Sequence, residues 1–496
     1  MIGVSDQFVG LANYTDLMGG FGISSAFEVQ ELQKALTTGQ DIVGAGAAGG
    51  QALRVQSLEN TLKLLTYRAS DLALWQRMAK KTAFSTVEEY SRLDKLAIEM
   101  PAFVGENPDQ AVAAEQWVEQ DQSYSRQVAT VRFMAIKKAV TLAATFVRNI
   151  VQDIEAHQTQ IGTLELLGRV EAGMFYSDNR TNLLAWDGYP ALMEKFTGVV
   201  PYTGTYNTVA YTGAAWPSGD FKDIIIDCEG NPLSEEYLEL GQQITRTHFG
   251  KLDVLYMSPR AKSDLAKQLF PAQRQNMPPT PDGRWGINFN FYMGSNGESE
   301  LLSDVFIGLR RPKAAGDTGA PSAPANGSNI TIAAASQPSS KMEIDTYYYY
   351  LSSIDRQGRE SATTMKFVAV TATGYKVTLS ILTGSWQTGA IQARVYRSKG
   401  VDDITKASLI ATLPKPDASG TIAYVDENQS RENCSIAMGF TWDSDQVVAF
   451  KQLAPLMKLP LAIVSTAKPF LILLYGTPVL YAPSKCISFR NVGMLT

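Results

Sequence analysis

The chain is poor in the residues that carry out chemistry. Its 496 residues include three cysteines and two histidines. Cys228, Cys434 and Cys486 are far apart and odd in number. That argues against a disulfide framework and fits free thiols in a reducing compartment. No CxxC, HxxxH or HExxH spacing occurs, and no GxxxxGK[ST] phosphate loop, so metal, redox and nucleotide signatures are missing. Strong charge of one sign is missing too. A net charge of −5 excludes the electrostatic footprint of a dedicated nucleic-acid binder. Long hydrophobic runs are absent. The most apolar stretch, PFLILLYGTPVLY at 469–481, is broken by Gly476 and Pro478 and falls short of the ~20 residues a bilayer span needs. Met1 to Gly10 has neither a basic nor an apolar leader region, so secretion is not expected. There are no short-period repeats and no coiled-coil heptads.

What is present is enough apolar residue for several cores. Hydrophobic content is 45% and charged content 19%, which is globular composition at a length that allows two to four domains. Residues 1–50 are Gly-rich and weakly patterned, an extended arm in expectation. Leu58, Leu62 and Leu65 then fall at helical spacing behind Ser57 as N-cap, and Ser70 is placed to cap a second helix with Leu72, Trp75 and Met78 on one stripe. STVEEYSRL and RQVATVRFMAI alternate as strands, with Val131, Phe133 and Ala135 on one face. The long acidic stretch between them predicts a β-hairpin that leaves the body of its own subunit. From Thr145 to Tyr176 apolar residues recur at Ile150, Ile154, Ile161, Leu164, Leu167, Val170 and Met174. The spacing predicts one helix roughly 45 Å long.

Residues 186–310 read as mixed α/β. KLDVLYMSP is a buried strand, RAKSDLAKQLF a helix with Leu265 and Leu269 inward, and Gly294 to Gly297 the turn of a hairpin. RRPKAAGDTGAPSAPANGSN looks like an exposed linker. Residues 330–427 are all-β in pattern and sized for a sandwich of roughly 100 residues. The earlier mixed pattern resumes after Arg431, which makes the sandwich an insertion.

Candidate chemistry is thin. Gly44, Gly46 and Gly49 satisfy GxGxxG, but no solid strand precedes them, and a flexible arm explains them better. His157 and His248 lack ligand spacing to any cysteine. Glu88/Glu89 and Glu235/Glu236 read as solvated pairs, and Lys137/Lys138 and Arg310/Arg311 as solvated or intersubunit charges. Of the four tyrosines Tyr347 to Tyr350, two are expected in a core and two outside, where they could stack on a sugar.

Several segments resemble the coat proteins of tailed double-stranded DNA bacteriophages. TLELLGRVEAGMFYSD is similar to the close of that family's spine helix, with Glu171, Phe175, Tyr176 and Asp178 at its pattern positions. KLDVLYMSPRAKSDL resembles the family's strand-then-helix, QLAPLMKLPLAIVSTAKPFLILLYGTPVLYAPSKCISFRNV its closing strands, and ALRVQSLENTLKLLTYRASDLALWQRM the lead into its extended loop. The order of these segments, over 50–310 and 440–496, carries the resemblance. It implies an α+β fold of the Hong Kong-97 type with an all-β immunoglobulin-like or fibronectin type III-like sandwich inserted.

The implied parts are an N-terminal arm and lead-in helices at 1–80, an extended β-hairpin loop at 81–136, a peripheral domain with the spine helix at 137–185 and 440–480, an axial domain at 186–312 and 481–496, and the insertion at 313–432. The implied function is a major capsid protein that self-assembles as hexamers and pentamers into an icosahedral virion head around phage DNA. The DNA is contacted non-specifically. Portal, scaffold and decoration proteins are further partners, and the host cytoplasm is the place of assembly. No catalytic, cofactor or metal residues are implied, and no membrane. Phe103, Trp117 and the Phe133 face would be left in water by an isolated hairpin. With Glu171, Phe175, Tyr176 and Asp178 they are the expected assembly residues. A bacterial nanocompartment shell protein and a carbohydrate-binding adhesin centred on the sandwich are the alternative readings.

Overall fold

A computed structural model describes residues 66–95, 122–146, 153–273, 290–417, 420–443, 445–463 and 466–495. All of them lie in one compact unit, Leu64–Asn149 with Asp153–Thr496. The expected arm, the Ser57 cap, the glycines Gly44, Gly46 and Gly49, and the hairpin tip with Phe103 and Trp117 fall outside the described residues.

The long helix runs Ile154–Tyr176, 23 residues and about 35 Å. It is shorter than the 145–176 expected, because the Asp153 side chain accepts the N–H groups of Glu155 (2.9 Å) and Ala156 (3.2 Å) and starts the helix there. A separate short helix, Leu142–Phe146, ends the strand before it. The buried face shares Val170 and Met174 with the expected stripe but not Ile161, Leu164 or Leu167. Gly162, Leu166, Val170 and Met174, spaced four apart, are buried with Gly168, Glu171 and Phe175, whereas Ile161 is exposed. Glycines and a carboxyl occupy the inward face, and a reading by apolar side chains alone rotates it. A Cβ on Gly162 would sit 2.6 Å from the Ile472 side chain, so the helix backbone itself touches the sheet.

That sheet has four strands, in the order Lys80–Thr82, Val448–Pro460, Ala467–Leu480, Arg132–Thr141. Its apolar run 469–481 forms an interior strand that buries Phe470, Ile472 and Leu474 against Val170 and Met174 of the helix. Phe450 is fully buried, edge-on to Trp75 (5.1 Å) and Trp186 (5.8 Å). A Cβ on Gly476 would lie 2.4 Å from its ring, which accounts for the glycine inside the strand. In Arg132–Thr141 the inward residues are Ile136 and Val140, while Phe133 and Ala135 face out. Val131, expected on the face of Phe133, is buried between two strands that belong to different sheets, so the alternation restarts there.

A six-stranded sheet follows in the order Ile225–Asp227, Ile487–Val492, Ser435–Phe440, Val254–Met257, Gly297–Ser303, Phe291–Gly294. Helices Glu235–Thr247 and Pro259–Gln273 cover it. All four residues of Val254–Met257 are buried, Leu265 is fully buried, and the hairpin turns at Ser295–Asn296, as expected. The chain leaves this sheet after Ser303 and returns at Ser435.

Between these points, seven strands form two sheets around one core. Ile330–Ser336, Tyr375–Leu382 and Thr421–Asp426 face Glu360–Val370, Asp345–Asp355, Ala390–Lys399 and Ser408–Pro414. Tyr347 and Tyr349 enter that core. Tyr350 is buried as well, on the other face under Tyr396 and Ala407, and Tyr348 is half-buried. Three of the four tyrosines are thus removed from any sugar-stacking surface.

The expected linker is no free spacer. Asp317 N–H donates to the Glu360 carbonyl (2.7 Å), its carboxylate accepts from Glu360 N–H (2.9 Å), and Thr364 donates to the Pro324 carbonyl (2.6 Å). It is fastened along the edge strand Glu360–Val370, which blunts that edge. Ser70 lies within a 3-10 turn, Ala69–Asp71, where Asp71 accepts from Arg68 N–H (2.7 Å). The helix that follows is only Ala73–Arg77.

Truncating Phe450 to Ala should destabilise the chain by about 3–5 kcal/mol, read as a lower denaturant midpoint at unchanged slope.

Candidate assembly surfaces

Strands Val87–Lys95 and Ser123–Thr130 pair antiparallel, from Val87 opposite Thr130 to Lys95 opposite Ser123, as a sheet of two strands. A two-stranded ribbon is marginal in water by itself. Its Val87, Leu93, Tyr124 and Val128 side chains are exposed, Tyr124 at 67%. Phe84, at the root, is 93% exposed.

The root is held firmly. The Glu88 carboxylate accepts from Phe84 N–H (2.7 Å), Ser85 N–H (3.1 Å) and the Lys451 ammonium (2.8 Å). The bond from Lys451, with those from Phe84 and Ser85, holds its carboxyl below the usual range against the opposing effect of burial. Tyr90 donates to the Leu480 carbonyl (3.2 Å) and packs edge-on to Tyr481 (5.0 Å). Sequence reasoning placed this hairpin but missed its anchors Lys451 and Tyr481, which lie more than 360 residues further on. Phe133 is 61% exposed and lies edge-on against Tyr475 at 4.8 Å, an aromatic ledge on the outer face of the four-stranded sheet.

Glu171, Phe175, Tyr176 and Asp178 are brought together at the end of the long helix, and their partners are in their own chain. Glu171 is wholly buried and accepts the N–H groups of Leu74 (2.7 Å) and Trp75 (2.8 Å). Phe175 is buried beside Tyr256. Tyr176 donates to the Gly308 carbonyl (3.2 Å) and carries the Arg310 guanidinium over its ring at 3.9 Å.

Asp178 accepts from the Arg180 backbone N–H (2.8 Å) and from its guanidinium (2.9 Å). Arg180 also reaches Glu194 (2.6 Å) and the Val199 carbonyl (2.6 Å), and Glu194 is bonded in turn by Arg490. Burial opposes ionisation of Glu194, but Arg490 and Arg180 hold its carboxyl below the usual range. Burial outweighs Arg180 at Asp178, whose carboxyl is raised. This chain of four charges locks the helix end to the closing strand Ile487–Val492. Nothing local in the sequence marks Glu194 or Arg490 as its members.

The sandwich is joined to the rest at several points. Tyr202 is fully buried among the sandwich core residues, and Thr203 exchanges two 2.8 Å backbone bonds with Ala423. Lys341 bonds Asp227 (2.9 Å) and Glu229 (2.6 Å), and Asp417 accepts the N–H groups of Asn207 and Thr208.

Among the described residues there is no group of His, Cys, Asp and Glu placed to hold a metal, and no helix long and apolar enough to cross a membrane. Burial pushes the thiols of Cys228, Cys434 and Cys486 up to about 12, so they are unreactive near neutrality.

No protein-family model matches the chain. Among curated proteins, the major capsid protein of Staphylococcus phage S25-3 is 24% identical over 489 residues, covering 93% of this chain and 95% of its relative. That of Staphylococcus phage K is 23% identical over the same length and shares. This chain is a homologue of phage major capsid proteins. The likeness runs nearly end to end, so it is not confined to one module. Among solved structures, the capsid of Cyanophage P-SCSP1u covers 91% of this chain at 8% identity with a TM-score of 0.41. An encapsulin complex from Synechococcus elongatus PCC 7942 covers 92%, also at 8% and 0.41. The α+β architecture described above has the extended hairpin, long helix and returning strands in the order expected of a capsid protein, and the capsid role is a structural one.

Replacing Arg180 with Ala leaves the half-buried Asp178 without its cation and Glu194 with Arg490 alone. It should cost about 3–5 kcal/mol, measured as a fall in unfolding free energy at neutral pH.

Proposed function

We propose that copies of this chain associate as hexamers and pentamers and close into the icosahedral head that encloses phage double-stranded DNA. The observation that carries this reading is the hairpin. It is anchored at its root by Glu88, Lys451 and Tyr90, yet its Val87, Leu93, Tyr124 and Val128 have no cover within the described chain. A rigidly held ribbon with bare apolar side chains is built to be covered by something outside the subunit, and in a shell that cover is a neighbouring copy. Each apolar side chain fully buried there contributes ~1.5–3 kcal/mol, and repetition around a closed shell multiplies weak contacts into a stable particle.

On this reading the parts are an arm at 1–80, the extended loop at 81–136, a peripheral domain at 137–185 and 440–480, an axial domain at 186–312 and 481–496, and an immunoglobulin-like insertion at 313–432. Phe133, like Phe103 and Trp117, serves contacts between subunits. Glu171, Phe175, Tyr176 and Asp178 serve assembly indirectly, by fixing the helix that carries the subunit's shape. The chain works without catalysis or cofactor. Packaged DNA is held by confinement, consistent with the net charge of −5. Portal, scaffold and decoration proteins would dock on the shell, and assembly would take place in the host cytoplasm.

The test is to place charge on the ribbon. Tyr124→Asp with Val128→Asp, at exposed positions, should change subunit stability by no more than about 0.5 kcal/mol. Shells should disappear from negative-stain images while folded, soluble subunits remain. Normal shells from the double variant would overturn the assignment. Excising 313–432 alone would strip the cover from Tyr202. With Tyr202→Ser added, the remaining chain should still form particles, read by the same imaging.

A further inference from the structure

Two carboxyl groups meet in the interior. Glu171 on the long helix and Asp304, just before the 3-10 turn Val305–Ile307, are both fully buried and lie close enough for each carboxyl to bear on the other's ionisation. Their other bonds come from backbone. Glu171 Oε1 and Oε2 accept from Leu74 and Trp75, and Asp304 Oδ1 accepts from Phe306 N–H at 2.7 Å. Asp304 Oδ2 has no donor unless the facing carboxyl supplies one. Neither carboxylate can donate, so a bond between them requires a proton on one, and two carboxylates this close do not both ionise readily.

The surrounding charges do not relieve the pair. From the lead-in segment, Arg77 is bonded to Glu300 and lies over the Trp442 ring, and Lys80 is bonded to the Trp75 carbonyl and lies over its ring. Tyr176, Tyr189 and Tyr256 face the site from the long helix, the helix Tyr189–Thr197 and the strand Val254–Met257, and Arg310 is stacked on Tyr176. Among the described residues no cation bonds either carboxyl.

We propose that Glu171 and Asp304 hold one proton between them, and that this proton is the latch that seats residues 68–78 on the long helix. The two N–H groups that Glu171 accepts belong to the first turn of Ala73–Arg77, so the pair grips that segment directly. The segment runs straight into the strand Lys80–Thr82 and the root of the hairpin. The proton therefore sets how firmly the chain upstream of the hairpin is held, whatever the hairpin itself contacts.

The sign follows from linkage. Burial, with the Asp304 carboxyl, pushes Glu171 from 4.5 up to about 8 while the segment is seated. A released Glu171 returns to its ordinary value. Seating is firmest in acid. Opening grows about tenfold per pH unit from 4.5 to about 8, where the seated state loses its proton too and the curve levels.

Hydrogen exchange of the peptide 72–78 in the full chain, normalised for the intrinsic effect of pH on exchange, tests this. The native chain should show opening that rises about four-hundredfold from about pH 5 to about pH 8. In Asp304→Asn the facing carboxyl is gone while the burial of Glu171 remains, so the rise should be smaller and should level at a lower pH than in the native chain. A flat native profile, or a profile in Asp304→Asn that rises as far and levels at the same pH as the native one, would overturn the proposal. If Asp304→Asn fails to fold, Glu171→Gln serves as the flat reference. The native chain also supplies a second measurement, an infrared band of a buried protonated carboxyl that must be present in mild acid and fade as pH rises through about 8. Its absence in mild acid would refute the shared proton.

Discussion

The rest of the molecule depends on the contact between the helix Ile154–Tyr176 and the strands Arg132–Thr141 and Ala467–Leu480. Leu166, Val170 and Met174 meet Ile136, Val140, Ile472 and Leu474 there, all buried. The approach is close because Gly162 presents backbone to the sheet. From this seam the structure spreads both ways. Phe450 ties the lead-in helix through Trp75, and Phe175 with Tyr256 ties the six-stranded sheet. The segment that becomes the hairpin strand Ser123–Thr130 is continuous with the seam's edge strand, so the hairpin's direction is set by the sheet and not by the ribbon.

Buried charge plays a different part. In the Asp178, Arg180, Glu194 and Arg490 chain Arg180 is buried and its partners half-buried, and in the Arg397, Asp426 and Glu432 group of the sandwich Arg397 and Asp426 are fully enclosed. Such groups contribute little net stability over apolar residues of the same volume, but they penalise any packing that separates them. They sit where elements distant in sequence must meet: a helix end with the closing strand, and the sandwich core strand Ala390–Lys399 with the return to the body. The sandwich is thereby held at several points, with Tyr202 of the body inside its core, and does not hang from a flexible tether.

The residues at the helix end that the family resemblance singled out are not the ones the subunit leaves uncovered. Glu171 and Phe175 are interior, and Asp178 is spent on Arg180. The uncovered side chains are Val87, Leu93, Tyr124, Val128 and Phe133. A recognisable pattern at a helix end reflects the many partners it must satisfy inside the subunit. A surface meant for another copy is constrained only by the copy, and it leaves a weaker mark on a single sequence.

Much of the architecture was legible without coordinates, because it rests on periodicity. The strands of the hairpin, the buried run Val254–Met257, the helix with Leu265 and Leu269, the all-β pattern of 330–427 and the existence of a long helix near 160 all follow from the spacing of apolar residues along the chain. The anchors did not. Lys451 on Glu88, Arg490 on Glu194 and Asp304 on Glu171 join residues more than a hundred positions apart, and no local spacing encodes such pairs. The rotation of the helix was hidden because glycine and a protonated carboxyl can be interior without looking apolar. Local pattern determined which segments are helix or strand. Packing in three dimensions alone decided which face of each turned inward, and which carboxyl kept its proton.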